Sequence, residues 1–337
     1  MPSVDYEIVK DVPAFVEKSL NPHLPYSLPL LRRCQFHEKR KHTTPDAQVW
    51  LAGGASFSAT INGPWLAAHI DLTNSGQTQI WTFASWESKY ANEKNPADSA
   101  RASLDFPTYQ ALFDALFQHL KQDLIPKLNP DPPEGWLRLK AEGKVLSEPF
   151  STSKVLFGTI AECLWPFLDA HKVSREDRPY LKYIVKSNRG DLQPGQAPEG
   201  LHFAAMKPEH LQTIIDRTSI PRTLETLRQL PSMGLYTDRD VPVAWGLLGK
   251  DASLSSLHTE PGYRRRGLAA MVAKQLLVEQ VKYFEDAIGH EEPASDVVIY
   301  SSADVSESNI ASRRVMQKIG GVVMWKVAWI EIDLEED

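Results

Sequence analysis

The chain has 337 residues, 42% of them hydrophobic and 24% charged, with a formal charge of −6. That length suits two domains and that composition permits a sizeable core. The acidic balance argues against a general nucleic-acid binder, which needs a net basic face. Two cysteines, Cys34 and Cys163, form neither a disulfide framework nor a metal-ligand pattern. A reducing compartment, the cytoplasm, and no metal are therefore expected. Met1 to Asp11 carries three acids and reads as neither a secretory signal nor a transit peptide. No run approaches 18 apolar residues, so no transmembrane helix and no membrane partner are expected.

In the first half, Ala14 to Leu20 reads as a short helix. The basic run of His37, Lys39, Arg40, Lys41 and His42 reads as a solvated loop. Gln48 to Ile61 and Trp65 to Ser85 alternate apolar and polar positions and break at Asn62-Gly63-Pro64 and Asn74-Ser75-Gly76, which predicts antiparallel strands. Phe106 to Leu128 predicts a helix with Leu112, Leu116, Leu120 and Leu124 in one stripe, and Val155 to His171 predicts another. Breaker residues cluster at Asn129 to Gly135 and, at greater length, at Ser187 to Gly200. The longer cluster sets the expected boundary between domains 1–187 and 201–337. The nine tryptophans read as core or domain-interface fillers.

The second half reads as a strand over Leu201 to Met206, then helical chain over Pro208 to Leu230 interrupted at Pro221. Strands follow over Met233 to Thr237, Pro242 to Leu248 and Ala252 to Thr259. Leu268 to Phe284 is helical, Val297 to Ser302 a strand, Ser308 to Ile319 a helix ended by Gly320-Gly321, and Val322 to Ile332 a closing strand. His290, Glu291 and Glu292 lack metal-ligand spacing and read as a loop.

The most informative stretch is Pro261-Gly262-Tyr263-Arg264-Arg265-Arg266-Gly267-Leu268-Ala269, which lies between a predicted strand and a predicted helix. A helix N-terminus presents free N–H groups and about half a positive charge, which suits a diphosphate. Gly267 has no Cβ to hold a phosphate off, and three arginines add long-range attraction.

This turn resembles the acyl-CoA-binding signature of the GNAT superfamily, Arg/Gln-x-x-Gly-x-Gly/Ala, through Arg264, Gly267 and Ala269 with Pro261 ahead of them. A second signature of that superfamily resembles Asn309, Ser312, Val315 and Gly320, with departures at Met316, where many members have tyrosine, and Gly321, where they have phenylalanine. The runs Val241 to Trp245 and Leu24 to Pro29 are similar to glycine N-acyltransferase and its FR47-like relatives.

The resemblance implies an α/β (α+β) fold: a C-terminal GNAT domain with a mixed, mostly antiparallel sheet flanked by helices, and an N-terminal degenerate GNAT-like copy. It implies acetyl-CoA or another acyl-CoA as co-substrate and a small amine or amino acid as acceptor. Direct attack in a ternary complex is expected, because no well-placed cysteine suggests an acyl-enzyme. The alternatives are a protein or peptide N-acetyltransferase and an acyl-CoA-binding pseudoenzyme.

The implied cofactor residues are Leu257, His258, Thr259, Arg264, Arg265, Arg266, Gly267, Leu268, Ala269, Asn309 and Ser312. Amides near Leu257 to Thr259 are expected to act as oxyanion donors if the strand bulges there. The acyl-pantetheine arm is expected between the fourth and fifth strands, with Asn309 either beside it or serving as a helix cap. For the proton, His258 is the expected base, or else a plain strand residue. Ser253 stands where glycine N-acyltransferases have a glutamate and is expected only to order a water. Asp251 reads as a turn former, Glu260 as solvent-facing and Met316 as core.

Overall fold

The computed structural model describes residues 4–40, 45–53, 63–145, 147–169, 171–284 and 296–335. His42 and Lys41, the strand end at 54–61, and His290, Glu291 and Glu292 lie outside them.

In chain order the elements are β1 (Asp5–Ile8), α1 (Val12–Phe15), α2 (Leu28–Arg40), β2 (Gln48–Gly53), β3 (Trp65–Ile70) and β4 (Ile80–Ala84). There follow α3 (Glu87–Tyr90), α4 (Pro96–Arg101), α5 (Phe106–His119), α6 (Glu134–Ala141), β5 (Lys154–Ala161) and β6 (Lys172–Asn188). Next come β7 (Leu201–Ala204), α7 (Leu211–Asp216), α8 (Leu224–Gln229), β8 (Ser232–Thr237), β9 (Pro242–Leu248) and β10 (Leu254–Thr259). The chain closes with α9 (Leu268–Phe284), β11 (Val298–Ser306), α10 (Ile310–Lys318) and β12 (Val322–Asp333). This is a mixed α/β fold with mostly antiparallel sheets flanked by helices.

Two units result: Met1–Tyr180 with Trp325–Asp337, and Leu181–Met324. The expected boundary at 187–201 falls elsewhere for a physical reason. Breaker residues report exposed irregular chain, whereas the division runs inside strands. From Leu181 onward β6 lies beside β11 in the second unit, and the breaker stretch after it belongs to that unit, where the Gly195 amide donates to Gln275 Oε1 at 3.1 Å. The end of β12 pairs instead with β5, Val327 opposite Ala161 through Asp333 opposite Lys154.

In the first unit the strands run β1-β2-β3-β4-β5-β12, antiparallel except for the β4–β5 pair. Both faces are covered. Val49 and Leu51 of β2 pack with Phe15, Leu30 and Cys34 from α1 and α2, while Trp50, pointing the other way, stacks on His119 at the end of α5 with centroids 6.5 Å apart. All tryptophans but Trp329 are buried, as expected of fillers.

Two expectations fail in this unit. Val155 to His171 is not a helix: its first part is β5, and Glu162–Phe167 is a 3-10 turn. A continuous apolar run fits a strand buried on both faces as well as a helix, and β5 is that strand. Nor is the basic run a solvated loop. It ends the amphipathic helix α2, and His37 is buried with its ring 5.1 Å from that of His69. Arg33 beside it is also buried, 3.7 Å from the Asp71 carboxylate and over the Trp81 ring.

In the second unit β7-β8-β9-β10 form an antiparallel sheet. Helix α9 lies on it. At Gly246 a Cβ would come within 2.9 Å of Leu276 and 3.5 Å of Val272, so glycine lets the helix seat closely. β11 pairs with β6 rather than with β10, although β10 and β11 lie side by side. Among the described residues no helix is long and apolar enough to cross a membrane, and no group of His, Cys, Asp or Glu could hold a metal ion.

Candidate functional site

The site is assembled in the second unit from β10, the turn after it, and the starts of α9 and α10. β10 bulges: Ser255 faces Leu247 and His258 faces Trp245, so Ser256 and Leu257 together oppose Gly246 alone. Ser256 takes a positive φ of 49° to make the extra step. A bulge leaves an amide out of the ladder, the condition for an oxyanion donor beside Leu257. The Leu257 side chain itself packs near Gly246. β10 ends its sheet and is not hydrogen-bonded to β11, so its outer edge keeps unpaired backbone groups.

The turn runs through a 3-10 segment, Pro261–Tyr263, into α9. Arg264 Nε donates to the Thr259 carbonyl at 3.0 Å and so fastens the turn to the end of β10. Arg265 and Gly267 take positive φ values of 62° and 79°. The amides of Arg265, Arg266, Gly267, Leu268 and Ala269 donate to no protein acceptor among the described residues. The first helical bonds run instead to the Gly267 carbonyl, from Ala270 at 3.1 Å and Met271 at 3.2 Å. Unspent amides at the positive end of a 17-residue helix form a cradle for a phosphate-bearing group. A Cβ on Gly267 would come within 3.2 Å of Lys318 Nζ, so the ammonium at the end of α10 stands at the mouth of the cradle. Lys318 has no sequence signature; only the fold brings it to the turn.

Asn309 resolves as the N-cap of α10: its Oδ1 accepts from the Ser312 amide at 3.0 Å. Asn309→Ala should cost about 1 kcal/mol of stability through the lost cap, read by urea denaturation. An accompanying loss of coenzyme A affinity would mean that the remaining amide nitrogen also reaches the cofactor. The end of α10 explains the departure at Gly321. Gly320 has φ 87°, its amide bonds Gln317, and the Gly321 amide bonds the Met316 carbonyl at 2.8 Å, a Schellman closure. A Cβ on Gly321 would lie 2.9 Å from that carbonyl. Met316 is buried, as expected of core.

His258 lies flat on Trp245, centroids 4.6 Å apart and planes at 21°. Its Nε2 has no hydrogen-bond partner and stands 3.8 Å from Glu260 Oε1. That same oxygen accepts from Arg217 Nε at 3.2 Å, so Glu260, half-buried rather than fully in solvent, lies between Arg217 and His258. Burial pushes the His258 pKa below its usual 6.5; Glu260 opposes the shift, and Arg264 and Arg217 reinforce it. The imidazole is held neutral and able to accept a proton. Thr259 Oγ1, next along the strand, is buried without a partner.

Ser253 does not join this group. It precedes β10, at the far end from the glycine turn, and its hydroxyl donates to Asp251 Oδ1 at 2.6 Å. Asp251 is buried and also accepts from the Ser253 amide at 3.2 Å, which makes it the turn former expected. The serine is a hairpin residue because its proton is already committed there.

The first unit has its own cavity of about 260 Å³, bordered by Trp136, Phe150, Lys154 and Glu331, and no predicted site residue lines it. Where the second unit passes from β10 through glycine into α9, the first passes from β4 through α3 and α4 before α5. There the Ala84 amide is taken by the buried Glu87 carboxylate at 2.8 Å, and Trp86 stacks on Tyr109 at 4.1 Å. A carboxylate and an aromatic stack occupy this connection.

No curated protein sequence matches the chain significantly. Among solved structures, a Drosophila protein is similar over 97% of this chain and 98% of its own, at 14% identity and a TM-score of 0.59. A tandem GNAT protein from the clavulanic acid biosynthesis pathway aligns over 98% of this chain and 99% of its own, at 10% identity and a TM-score of 0.47. A GCN5-related N-acetyltransferase from Sphaerobacter thermophilus aligns over 98% and 96%, at 12% identity and 0.47. Residues 4–183, more than half of the chain, match the family model of the acyl-CoA N-acyltransferase verG N-terminal domain. The chain therefore belongs to that family of acyl-CoA N-acyltransferases.

Proposed function

We propose that this protein transfers an acyl group from acetyl-CoA or another acyl-CoA to the amine of a small molecule, an amine or amino acid, by direct attack in a ternary complex. The observation that carries this reading is the run of five unspent amides from Arg265 to Ala269, set between a bulged strand and the N-terminus of α9. The diphosphate would lie on these amides, with Arg265, Arg266 and Lys318 about it. The thioester would lie along the edge of β10, its carbonyl oxygen toward the bulge.

The chemistry follows from the groups along β10. A free ammonium has a pKa near that of lysine, ~10.4, so it must lose a proton before it attacks. His258 Nε2 is neutral and unpartnered and accepts it. Glu260, held by Arg217, stabilises the imidazolium that results. The nitrogen attacks the thioester carbon, and the oxyanion is met by the bulge amide. Collapse breaks the C–S bond, the nitrogen sheds its second proton and the thiolate takes one from solvent, since Met316 has none to give. We place the reaction in the cytoplasm. The two free, buried thiols support this; burial pushes that of Cys34 up to about 12.

The decisive test is a thiol-release assay with several acyl-CoAs against amines, amino acids and peptides, alongside calorimetry with coenzyme A. Turnover of peptides and not of small acceptors would favour a protein acetyltransferase. Coenzyme A binding without turnover would favour a pseudoenzyme, a reading to which Ser253 and Met316 lend support. For the wild type, kcat/KM should rise with pH through a midpoint below 6.5, because only neutral His258 accepts a proton. His258→Ala should lower kcat/KM by about 100-fold or more and erase that limb while leaving coenzyme A affinity unchanged. An unaltered pH profile would remove His258 as the base.

A further inference from the structure

The segment joining α7 to α8 is tied to β10 at both ends. Arg217 reaches Glu260, just past the strand, and Arg222 Nη2 donates to Ser255 Oγ at 3.2 Å near its start. Between these ties run the bulge and His258. Four polar atoms here have no partner: Arg222 Nε, Ser256 Oγ, His258 Nε2 and Thr259 Oγ1. Buried polar atoms in folded proteins are nearly always satisfied, so these unpartnered atoms are capacity for a polar ligand; Thr259, next after His258 on the strand, turns to the opposite face.

Arg222 is the odd member. It is half-buried with its Nε fully out of solvent, and a guanidinium so placed ordinarily has a carboxylate beside it. Among the described residues none forms an ion pair with Arg222; its one hydrogen bond is to a neutral hydroxyl. Asp251 is the acid whose charge it feels, but that carboxylate is committed to the Ser253 hydroxyl and amide. Burial accordingly pushes the guanidinium pKa down, with Asp251 only partly offsetting it. The planar donors of arginine match a carboxylate in a two-pronged arrangement that no hydroxyl or carbonyl reproduces.

We propose that Arg222 receives the carboxylate of the acceptor, and that the acceptor is an amino acid or similar small amino carboxylate whose amine faces His258. This rests on the acyl-transfer reading of the same site. One guanidinium balances one carboxylate, and Arg222 meets the strand at Ser255, within about 10 Å of His258 along β10. A protein amino terminus or lysine carries no main-chain carboxylate that close to its amine, so the arrangement favours a free amino acid over a peptide.

The test is calorimetry on the full chain with coenzyme A present, titrating the common amino acids, β-alanine and taurine, each carboxylate beside its decarboxylated amine. At least one amino carboxylate should bind tenfold or more tightly than its amine. Arg222→Gln should erase that difference while leaving coenzyme A affinity within twofold. Arg222→Lys, which keeps the charge and loses the fork, should retain part of it and guards against a folding defect in the glutamine variant. Equal binding of acid and amine, a preference for taurine, binding of no member of the panel, or undiminished discrimination by Arg222→Gln would overturn the proposal. Failure of coenzyme A itself to bind would instead overturn the acyl-transfer reading, and the two failures are read from separate titrations.

Discussion

Gly267→Val is expected to reduce coenzyme A affinity by at least about 100-fold, a loss of roughly 3 kcal/mol. Two costs combine. Gly267 sits at φ 79°, where an L-residue is disfavoured by about 1–2 kcal/mol and a branched one by more. The Cβ also meets Lys318 Nζ at 3.2 Å, so either the ammonium retreats from the cradle or the turn opens. Hydrogen bonds to a charged group contribute about 1.5–3 kcal/mol each, so misdirecting even one amide is felt. Gly262→Ala is the matching control. Its Cβ would meet nothing within 4 Å and its φ is not in the left-handed region, so affinity should be unchanged. Calorimetry with coenzyme A decides: a valine variant that binds within threefold of wild type would move the diphosphate away from this turn.

The second large effect is on stability. Lys182 on β6 and Asp304 on β11 form an ion pair inside the second unit, Nζ lying 2.6 Å from Oδ1 and 2.8 Å from Oδ2, with side chains 0% and 5% exposed. Removing one partner of such a pair strands the other charge out of water. Asp304→Ala should therefore destabilise the second unit by about 3–5 kcal/mol. The pair itself is worth far less than that, because bringing two ions inside has already cost most of their attraction. Lys182→Met with Asp304→Leu should accordingly be much less harmful than Asp304→Ala alone. Urea denaturation followed by tryptophan fluorescence checks both. Should the single and double variants unfold at the same urea concentration, the stranded charge is not what destabilises. Trp245 reports from the second unit, while the other eight tryptophans report from the first, so the transitions are to be fitted separately.

The legible parts of this chain were those whose cause is local. Helix α9 falls at Leu268–Phe284, as its apolar spacing predicts, because one amphipathic face specifies the period. β9 falls at Pro242–Leu248, bounded by a turn on each side. The turn from Pro261 into α9 is readable because glycine, proline and arginine at fixed offsets act through backbone geometry a few residues long. The bulge in β10 was legible only as a condition; positive φ at a serine, as Ser256 adopts, has no sequence mark.

Where sequence and structure part, packing is what intervenes. β5 is apolar throughout because both its faces are covered, and a buried strand loses the alternation that would separate it from a helix. The basic run from His37 reads as solvated because charge usually goes there, yet α2 carries His37 inward against His69. Ser253 followed an alignment position, and the structure spends its proton on Asp251 two residues away.

What the amino-acid order determined by itself was the local geometry: a strand, a glycine turn and a helix N-terminus, which together leave backbone amides unspent. What the tertiary structure alone decided was the company that turn keeps. Lys318 comes to Gly267 from α10, Arg217 to Glu260 and Arg222 to Ser255 from the segment before α8, and Asp304 to Lys182 across a sheet. Backbone amides are present wherever the chain turns, so local sequence suffices to place them. A side-chain charge acts only where packing brings it, across dozens of residues that no motif spans.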